Sequence, residues 1–579
     1  MRYSIFKKKI LWQYVISVVN MLLMHYYILI TCRVEETVDA LLWLDNLLGV
    51  FFDITIVLSL TLLITWGKQQ LSIFITAIIT LLWSFSNILY SRFFHHYISI
   101  SAIGQVGNLT DSFMLRNMME GLRWMDFYFL IIFILIIWLY FGSKEDTNTR
   151  LYKPILFLLK LPICLLLIDI LFHCIFCLMA PGLRSFSYFR HRLYVRHIEL
   201  LHCSAEPNWS SFHRGAIRHS FVPLMYQLFA NTELTDDQRT SIKTEYTDYR
   251  ERVSDSTEKV KDKNLIFIIV ESYLSATSDL IVEGKEVTPF LNSLKHDSTI
   301  YYNGQLIPNI TVGESSDGQF IYMTGLLPLR SEVTVTKAKY AELPGLPKLL
   351  KQEKKIDEAQ MIIPTLPSMW EQESMCERYG FDHLFSSADY KNGMFWYLSD
   401  QQIFEYALEK NLSAKRPFLS VVLTMTMHQP YTEPMDPNFI IKDKSLTDKY
   451  RNYLSTCHYT DKQIKWYFNQ LKQKDLYDNS VIVIVADHHA HASLFNMAED
   501  NISSDIPLYI INGNVNQTAG WQGRCNQLDV YTTLLDIYGA KGDWKGLGHT
   551  LITYNYHNSI KQNLWEISEL LILGNYFKQ

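Results

Sequence analysis

Four residues stand just beyond apolar runs: Glu271 after NLIFIIV, His428 after FLSVVLTMTM, and Asp487 and His488 after SVIVIVA. Carboxylates with a neutral imidazole are a ligand set for Zn or Mn. Each residue alone says little, and an Asp-His pair by itself is more often structural. Arrival from several strand ends at one edge favours a metal site. The HHAH run that continues to His491 can also be read as a metal-binding tract, although only some of its side chains can face one point. A further group is a hydroxyl. In TVGESSDGQFIYMTGLLPL, Ser315 and Ser316 precede FIYMTGLL, which reads as a helix. A hydroxyl at a helix N-terminus is placed to attack phosphorus: free N–H groups and the dipole favour an anion there, and a bound metal lowers the hydroxyl's pKa. A lone serine in that place is an ordinary cap. Its position between the Glu271 strand and the later ligands turns the reading toward a nucleophile.

The elements that must position these groups follow from the same runs. A continuous apolar run ending in polar residues is the pattern of a buried parallel strand. NLIFIIV, FLSVVL, SVIVIVA and the shorter IPLYIIN alternate with helix-like stretches such as Leu346 to Glu353 and Asp461 to Lys472. Alternation predicts an α/β fold with a mostly parallel sheet. In such sheets sites form beyond the carboxyl ends of the strands, where Glu271, His428, Asp487 and His488 fall.

The whole chain has 579 residues, 49% of them hydrophobic and 19% charged, with a mean hydropathy of +0.02. That length exceeds a single domain. A net charge of -5 argues against a nucleic-acid partner. Five segments are long enough to span a membrane: Ile10 to Thr31, Leu47 to Trp66, Leu71 to Tyr90, Phe127 to Gly142 and Pro154 to Leu178. A cleaved signal peptide fits the first poorly, because the run is too long and no small-x-small site follows. Arg2, Lys7, Lys8, Lys9, Lys68, Lys144, Arg150 and Lys153 fall on one side if all five spans exist, against Arg92, Arg116 and Arg123 in the much longer loop 91–126 on the other. Positive residues mark the cytoplasmic side, so the N-terminus is expected inside and everything after residue 180 outside. Asp53, within the second span, is either a functional group or a residue at the lipid–water boundary. The expected domains are a transmembrane part at 1–180, a polar connector at 181–260, a catalytic domain at 261–560 and a tail at 561–579. Cys32, Cys164, Cys174 and Cys177 lie in or beside apolar runs; Cys203, Cys376, Cys457 and Cys525 lie in the soluble part, with no zinc-finger spacing. Spacing leaves their pairing open.

Membrane spans followed by IIVES, GESSDGQF, TMTMHQPY, VADHH and GLGHTLI resemble the lipoteichoic acid synthase-type branch of the alkaline phosphatase/sulfatase superfamily, with its related phosphoethanolamine and phosphoglycerol transferases of bacterial envelopes. The resemblance covers essentially the whole chain. It implies one divalent metal, Zn or Mn, held by Glu271, Ser315, Asp487 and His488, with Ser315 as nucleophile and His428 as a substrate-side histidine. It implies a phospholipid donor, an envelope glycan or lipid acceptor, and a bacterial plasma membrane protein whose catalytic domain is periplasmic or extracellular. Trp370, Gln372 and His489 are the remaining substrate-binding candidates. Sulfatases mature a Cys or Ser in C/S-x-P-x-R; here Ser316, Asp317, Gly318 and Gln319 follow Ser315, so a direct serine nucleophile is favoured over sulfatase activity. Relatives that polymerise glycerol phosphate carry His-x-Asp and then Trp-x-Arg. Here IPTLPSMWEQES keeps Trp370 but has Ile363, Thr365 and Gln372 elsewhere, and Gln cannot replace the charged Arg fork. The expectation is therefore transfer of a phosphate-linked head group, phosphoglycerol or phosphoethanolamine, through Ser315. The alternative is a membrane-bound phosphodiesterase or phosphatase with water as acceptor.

Overall fold

The computed structural model describes residues 2–31, 40–94, 97–98, 119, 122–141, 211–212, 215–220, much of 234–244, and 259–578 apart from 331–332, 393–396, 496, 498–500, 554–555 and 557–561. Two compact units make up the chain: residues 1–104, 118–230 and 330–332 form one, and 105–117, 231–329 and 333–579 the other.

The first unit contains α1 (Arg2–Thr31), α2 (Ala40–Ile64), α3 (Gln69–Phe94) and α4 (Phe127–Phe141). Among the described residues, four stretches are long and apolar enough to cross a membrane: Leu11–Thr31, Asn46–Ile64, Gln70–Arg92 and Trp124–Phe141. They match the first four expected spans; the fifth, Pro154 to Leu178, lies outside the described residues, as does most of the connector. Helices α1 and α3 are close neighbours, and small polar residues such as Ser17, Thr80 and Ser84 are buried. Their hydroxyls donate to carbonyls one turn back, Thr80 to Thr76 at 2.9 Å and Ser84 to Thr80 at 2.8 Å. Small residues permit close helix approach in lipid, and internal pairing satisfies their polarity. Arg92 forms a bidentate pair with Asp126 at 2.7 and 2.8 Å and reaches Tyr27 Oη at 2.9 Å. Asp53 is fully enclosed. Its carboxylate accepts the Ile217 N–H at 2.9 Å, so it caps the short helix α5 (Ala216–Ser220). Gly215, at φ +97, lies so close that a Cβ would overlap that carboxylate and the Gly49 carbonyl. The residue that looked like a boundary charge is an internal anchor.

The second unit is built on β1 (Asn264–Val270), β2 (Ile281–Val282), β3 (Lys285–Glu286), β4 (Tyr301–Ile307), β5 (Glu358–Ile362), β6 (His383–Phe385), β7 (Phe418–Leu423), β8 (Ser480–Ala486), β9 (Ile506–Ile511) and β10 (Cys525–Asn526). Eight of these form one sheet in the order β10-β4-β9-β8-β1-β7-β5-β6, with β2 and β3 as a separate ladder. β1 lies between parallel neighbours, Ile266 pairing with Ile482 on β8 and Ser420 on β7. The IPLYIIN strand, β9, runs antiparallel to both β8 and β4, so the sheet is mostly rather than wholly parallel. Every residue of β1, β7, β8 and β9 is buried, which is why they read as unbroken apolar runs.

Around the sheet stand α6 (Pro289–Lys295), α7 (Ser315–Thr324), α8 (Asp400–Ser413), α9 (Asp448–Gln473), α10 (Asp529–Ile537) and α11 (Gln562–Leu573), with shorter turns between them. The helix expected at Asp461 to Lys472 is the second half of α9; the one expected from Leu346 spans Leu346–Gln352. In α11, Leu564, Leu571 and Ile572 are buried in the main core. Cys376, Cys457 and Cys525 are free and buried.

Candidate active site

Three parallel strand ends build the floor. Past β1 comes Glu271, past β8 come Asp487 and His488, and past β7 the chain continues through Thr424 to His428. Main-chain bonds lace these ends together: Asp487 N donates to Val270 O at 3.2 Å and Thr424 N to Ile269 O at 3.0 Å, while Glu271 N donates to the Thr424 hydroxyl at 3.0 Å. The expected groups therefore arrive at one edge because the sheet is parallel there.

Glu271, Asp487 and His488 each offer a ligand atom, all within 4.8 Å of one another, and all three residues are buried. Their remaining valences are already assigned. His488 Nδ1 donates to His489 O at 2.8 Å, so it is Nε2 that faces the carboxylates, at 3.4 Å from Glu271 Oε1 and 3.6 Å from Asp487 Oδ2. Asp487 Oδ1 accepts Ser272 N at 2.9 Å and His488 N at 2.8 Å, leaving Oδ2 for the centre. Ser272 Oγ donates to Glu271 Oε1 at 2.8 Å. Such outer partners orient metal ligands and set the histidine tautomer.

Electrostatics point the same way. Burial opposes charge on Glu271, but His488 holds its carboxyl below the usual carboxylate range. Burial and then the Glu271 charge push the Asp487 carboxyl up. Burial works against a charged His488, yet Asp487 and Glu271 pull it well above the ordinary imidazole value. Two converging carboxylates held in the dry interior want a cation between them. One nitrogen and two or three oxygens suit a divalent ion such as Zn or Mn.

Ser315 opens α7. Its hydroxyl donates to Glu271 Oε2 at 3.3 Å and lies 3.1 Å from His488 Nε2. Helix α7 can press on β8 because residue 318 is glycine: a Cβ there would overlap the Asp487 carbonyl. Ser316 Oγ instead donates to Gly313 O at 2.7 Å. The structure thus separates the two serines, and Ser315 faces the ligands.

The other candidates take different places. His428 has its Nδ1 bonded to Gln429 O at 2.7 Å, and its charge helps to lower Glu271. His489 supports His488 through its main chain; its ring lies 4.3 Å from that of His491, and burial, then His491, push its pKa down to about 3. Gln372 is buried and donates to Gln319 Oε1 at 2.8 Å, one turn along α7 from Ser315. Trp370 and Glu371 adopt successive positive φ values of 50° and 55°, and Glu371 pairs with Lys339 at 2.7 Å. Gln372 thus lies against α7 rather than in the ligand cluster, and Trp370 packs against the main core. Glu314, which the sequence did not single out, sits beside the site with His491 of the HHAH run: His491 Nε2 is 3.4 Å from Glu314 Oε1, and His488 Nδ1 is 3.6 Å from Glu314 Oε2. The signal for Glu314 was its place next to Ser315.

Residues 263–540 match the Sulfatase family, and residues 1–190 match the lipoteichoic acid synthase N-terminal domain. The chain thus joins a sulfatase-type domain to a lipoteichoic acid synthase-type N-terminal domain. Lipoteichoic acid synthase 2 of Bacillus subtilis (strain 168) is 27% identical over 545 residues, covering 88% of this chain and 77% of that one. Lipoteichoic acid synthase of Staphylococcus aureus (strain USA300) is 24% identical over 532 residues, with 89% and 79% covered. Among solved structures, the lipoteichoic acid synthase LtaP from Listeria monocytogenes aligns with 57% of this chain and 98% of its own at 17% identity, TM-score 0.46. The Streptococcus pyogenes phosphoglycerol transferase GacH, in complex with sn-glycerol-1-phosphate, aligns with 59% and 92% at 18% identity, TM-score 0.42.

Proposed function

We propose that this chain transfers a phospho-head-group, phosphoglycerol or phosphoethanolamine, from a membrane phospholipid to an envelope glycan or lipid through a Ser315 phospho-enzyme. The carrying observation is the Ser315 hydroxyl at the start of α7, 3.3 Å from Glu271 and 3.1 Å from His488. Ser315 Oγ attacks the phosphodiester phosphorus, diacylglycerol leaves, and an acceptor hydroxyl then displaces the serine. Free N–H groups at the start of α7 receive the phosphate charge. Glu271, Asp487, His488 and Ser315 would hold one Zn or Mn, whose chemistry there is Lewis-acid neutralisation of phosphoryl oxygens. His428, at the rim, hydrogen-bonds the phosphate or passes a proton. Trp370, Gln372 and His489 line the head-group side.

The membrane helices keep a lipid donor close, which raises its effective concentration. With the basic residues cytoplasmic, the catalytic unit acts outside the plasma membrane. Incubation of the purified full chain with labelled phosphatidylglycerol or phosphatidylethanolamine tests the reading. A phosphoglycerol or phosphoethanolamine mass on the Ser315 peptide is the expected result and names the donor. Ser315→Ala should abolish transfer with expression intact; retained turnover would sink the assignment.

A further inference from the structure

The loop leading into α7 is held by a carboxylate that reaches none of the ligands. Asp317, the third residue of α7, is completely buried. Its Oδ2 accepts Thr311 N at 2.9 Å, Thr311 Oγ1 at 2.8 Å and Gly313 N at 3.0 Å. Its Oδ1 accepts Thr334 Oγ1 at 2.9 Å. An acidic residue at this helix position ordinarily reaches back to the N-cap N–H. Here it reaches past the N-cap, Glu314, to residues one and three further upstream, and folds them over the helix end.

The backbone records the result. Glu314 sits at φ 44 and ψ −117, a combination that residues with a side chain seldom adopt and that surrounding contacts must impose. The clamp is close-fitting: a Cβ on Gly313 would overlap the Asp317 carboxylate. An ordinary N-cap is extended. Releasing Glu314 to that conformation would turn the start of α7 and carry Ser315 away from the strand ends.

We propose that Asp317 is the positioning residue of the nucleophile: its clamp on Thr311, Gly313 and Thr334 holds Glu314 at positive φ and so aims Ser315 Oγ at Glu271 and His488. The inference rests on the reading of Ser315 as nucleophile. It demands hydrogen-bond acceptors rather than a charge. One amide oxygen can take the three donors now on Oδ2, and the amide N–H can donate to Thr334 Oγ1, which otherwise accepts Leu329 N at 3.0 Å. Asparagine should therefore serve where alanine does not.

The test uses the full chain in detergent, with metal content measured and bis(p-nitrophenyl) phosphate as a soluble probe. A misplacement on the order of 1 Å costs about 100-fold in rate, so Asp317→Ala should lower kcat by about that factor, with KM within about threefold and metal retained. Asp317→Asn should stay within about tenfold of the wild type. Thr334→Val should lose severalfold in kcat and Thr334→Ser recover it. A crystal structure of Asp317→Ala should show Glu314 at negative φ and Ser315 Oγ beyond about 3.5 Å, outside hydrogen-bond reach, of both partners. Wild-type kcat in folded Asp317→Ala, unchanged Ser315 geometry in its crystal, or an Asn variant as inactive as Ala would overturn the proposal. Should Asp317→Ala fail to fold, the threonine pair decides, and wild-type kcat in Thr334→Val counts against the clamp. Failure of the functional reading looks different: the wild type would cleave the soluble probe yet move no head group from phospholipid.

Discussion

At the scale of single residues, the candidate ligands act as a unit, because each faces the same point through its remaining valence. Loss of an outer partner alone costs about 10–100-fold in metal affinity, so Asp487→Asn or Glu271→Gln should lower metal content at least that far and activity with it. Full occupancy by elemental analysis in both variants would refute the site. Gln372→Ala should keep the metal, since Gln372 touches Gln319 rather than a ligand, and should change the ratio of head groups accepted. An unchanged ratio in paired lipid assays would remove Gln372 from the specificity surface. Glu271, Asp487 and His488 were legible in the sequence because each follows a wholly buried strand. Glu314 and Asp317 were not. Their roles depend on one unusual backbone step and on Thr334, which arrives from a separate segment, and neither leaves a periodic trace.

Helices and strands decide how close those residues come. Gly318 lets α7 rest on the Asp487 carbonyl. Gly318→Ala must push helix and strand apart; overpacking of this kind costs about 1–3 kcal/mol. Thermal melts should show that loss, and serine labelling should slow even in the folded fraction. Element α6 gives a pH dependence. Asp461, on α9, accepts the N–H groups of Phe290 and Leu291 at 3.0 and 2.8 Å, and burial pushes its pKa up to about 7. The folded chain then binds a proton that the unfolded chain, with an ordinary carboxyl near 3.8, has released. Stability from this group falls as pH rises from about 4 to about 7. The Tm penalty of Asp461→Ala should therefore be larger at pH 5 than at pH 8; an equal or reversed difference would contradict it. Strands β1, β7 and β8 announced themselves by unbroken apolar runs. β4 did not, because YYNGQLI alternates in burial and breaks register between Asn303 and Leu306, and β6 is only three residues long. The direction of β9 was equally hidden: a fully buried strand reads the same whichever way it runs.

Across the whole molecule, one polar contact inside the membrane unit carries a measurable share of stability. Asp53→Ala leaves the buried Ile217 N–H without its acceptor, which costs about 1–3 kcal/mol, whereas Asp53→Asn keeps an oxygen for it. Melts of the full chain in detergent should rank wild type, Asn and Ala in that order, and an Ala variant as stable as wild type would deny the anchor. The spans themselves were legible from length and apolarity; the anchor was not, since its partner lies 164 residues away. Cys376, Cys457 and Cys525 are separate and buried, and burial raises all three thiols, Cys376 to about 12. Thiolate is the reactive form, so these sulfurs resist both oxidants and alkylating agents while the fold is closed. The catalytic unit thus owes nothing to oxidative folding. It should melt at the same temperature with or without dithiothreitol, and its three thiols become titratable only as it unfolds, which makes them a built-in gauge of opening.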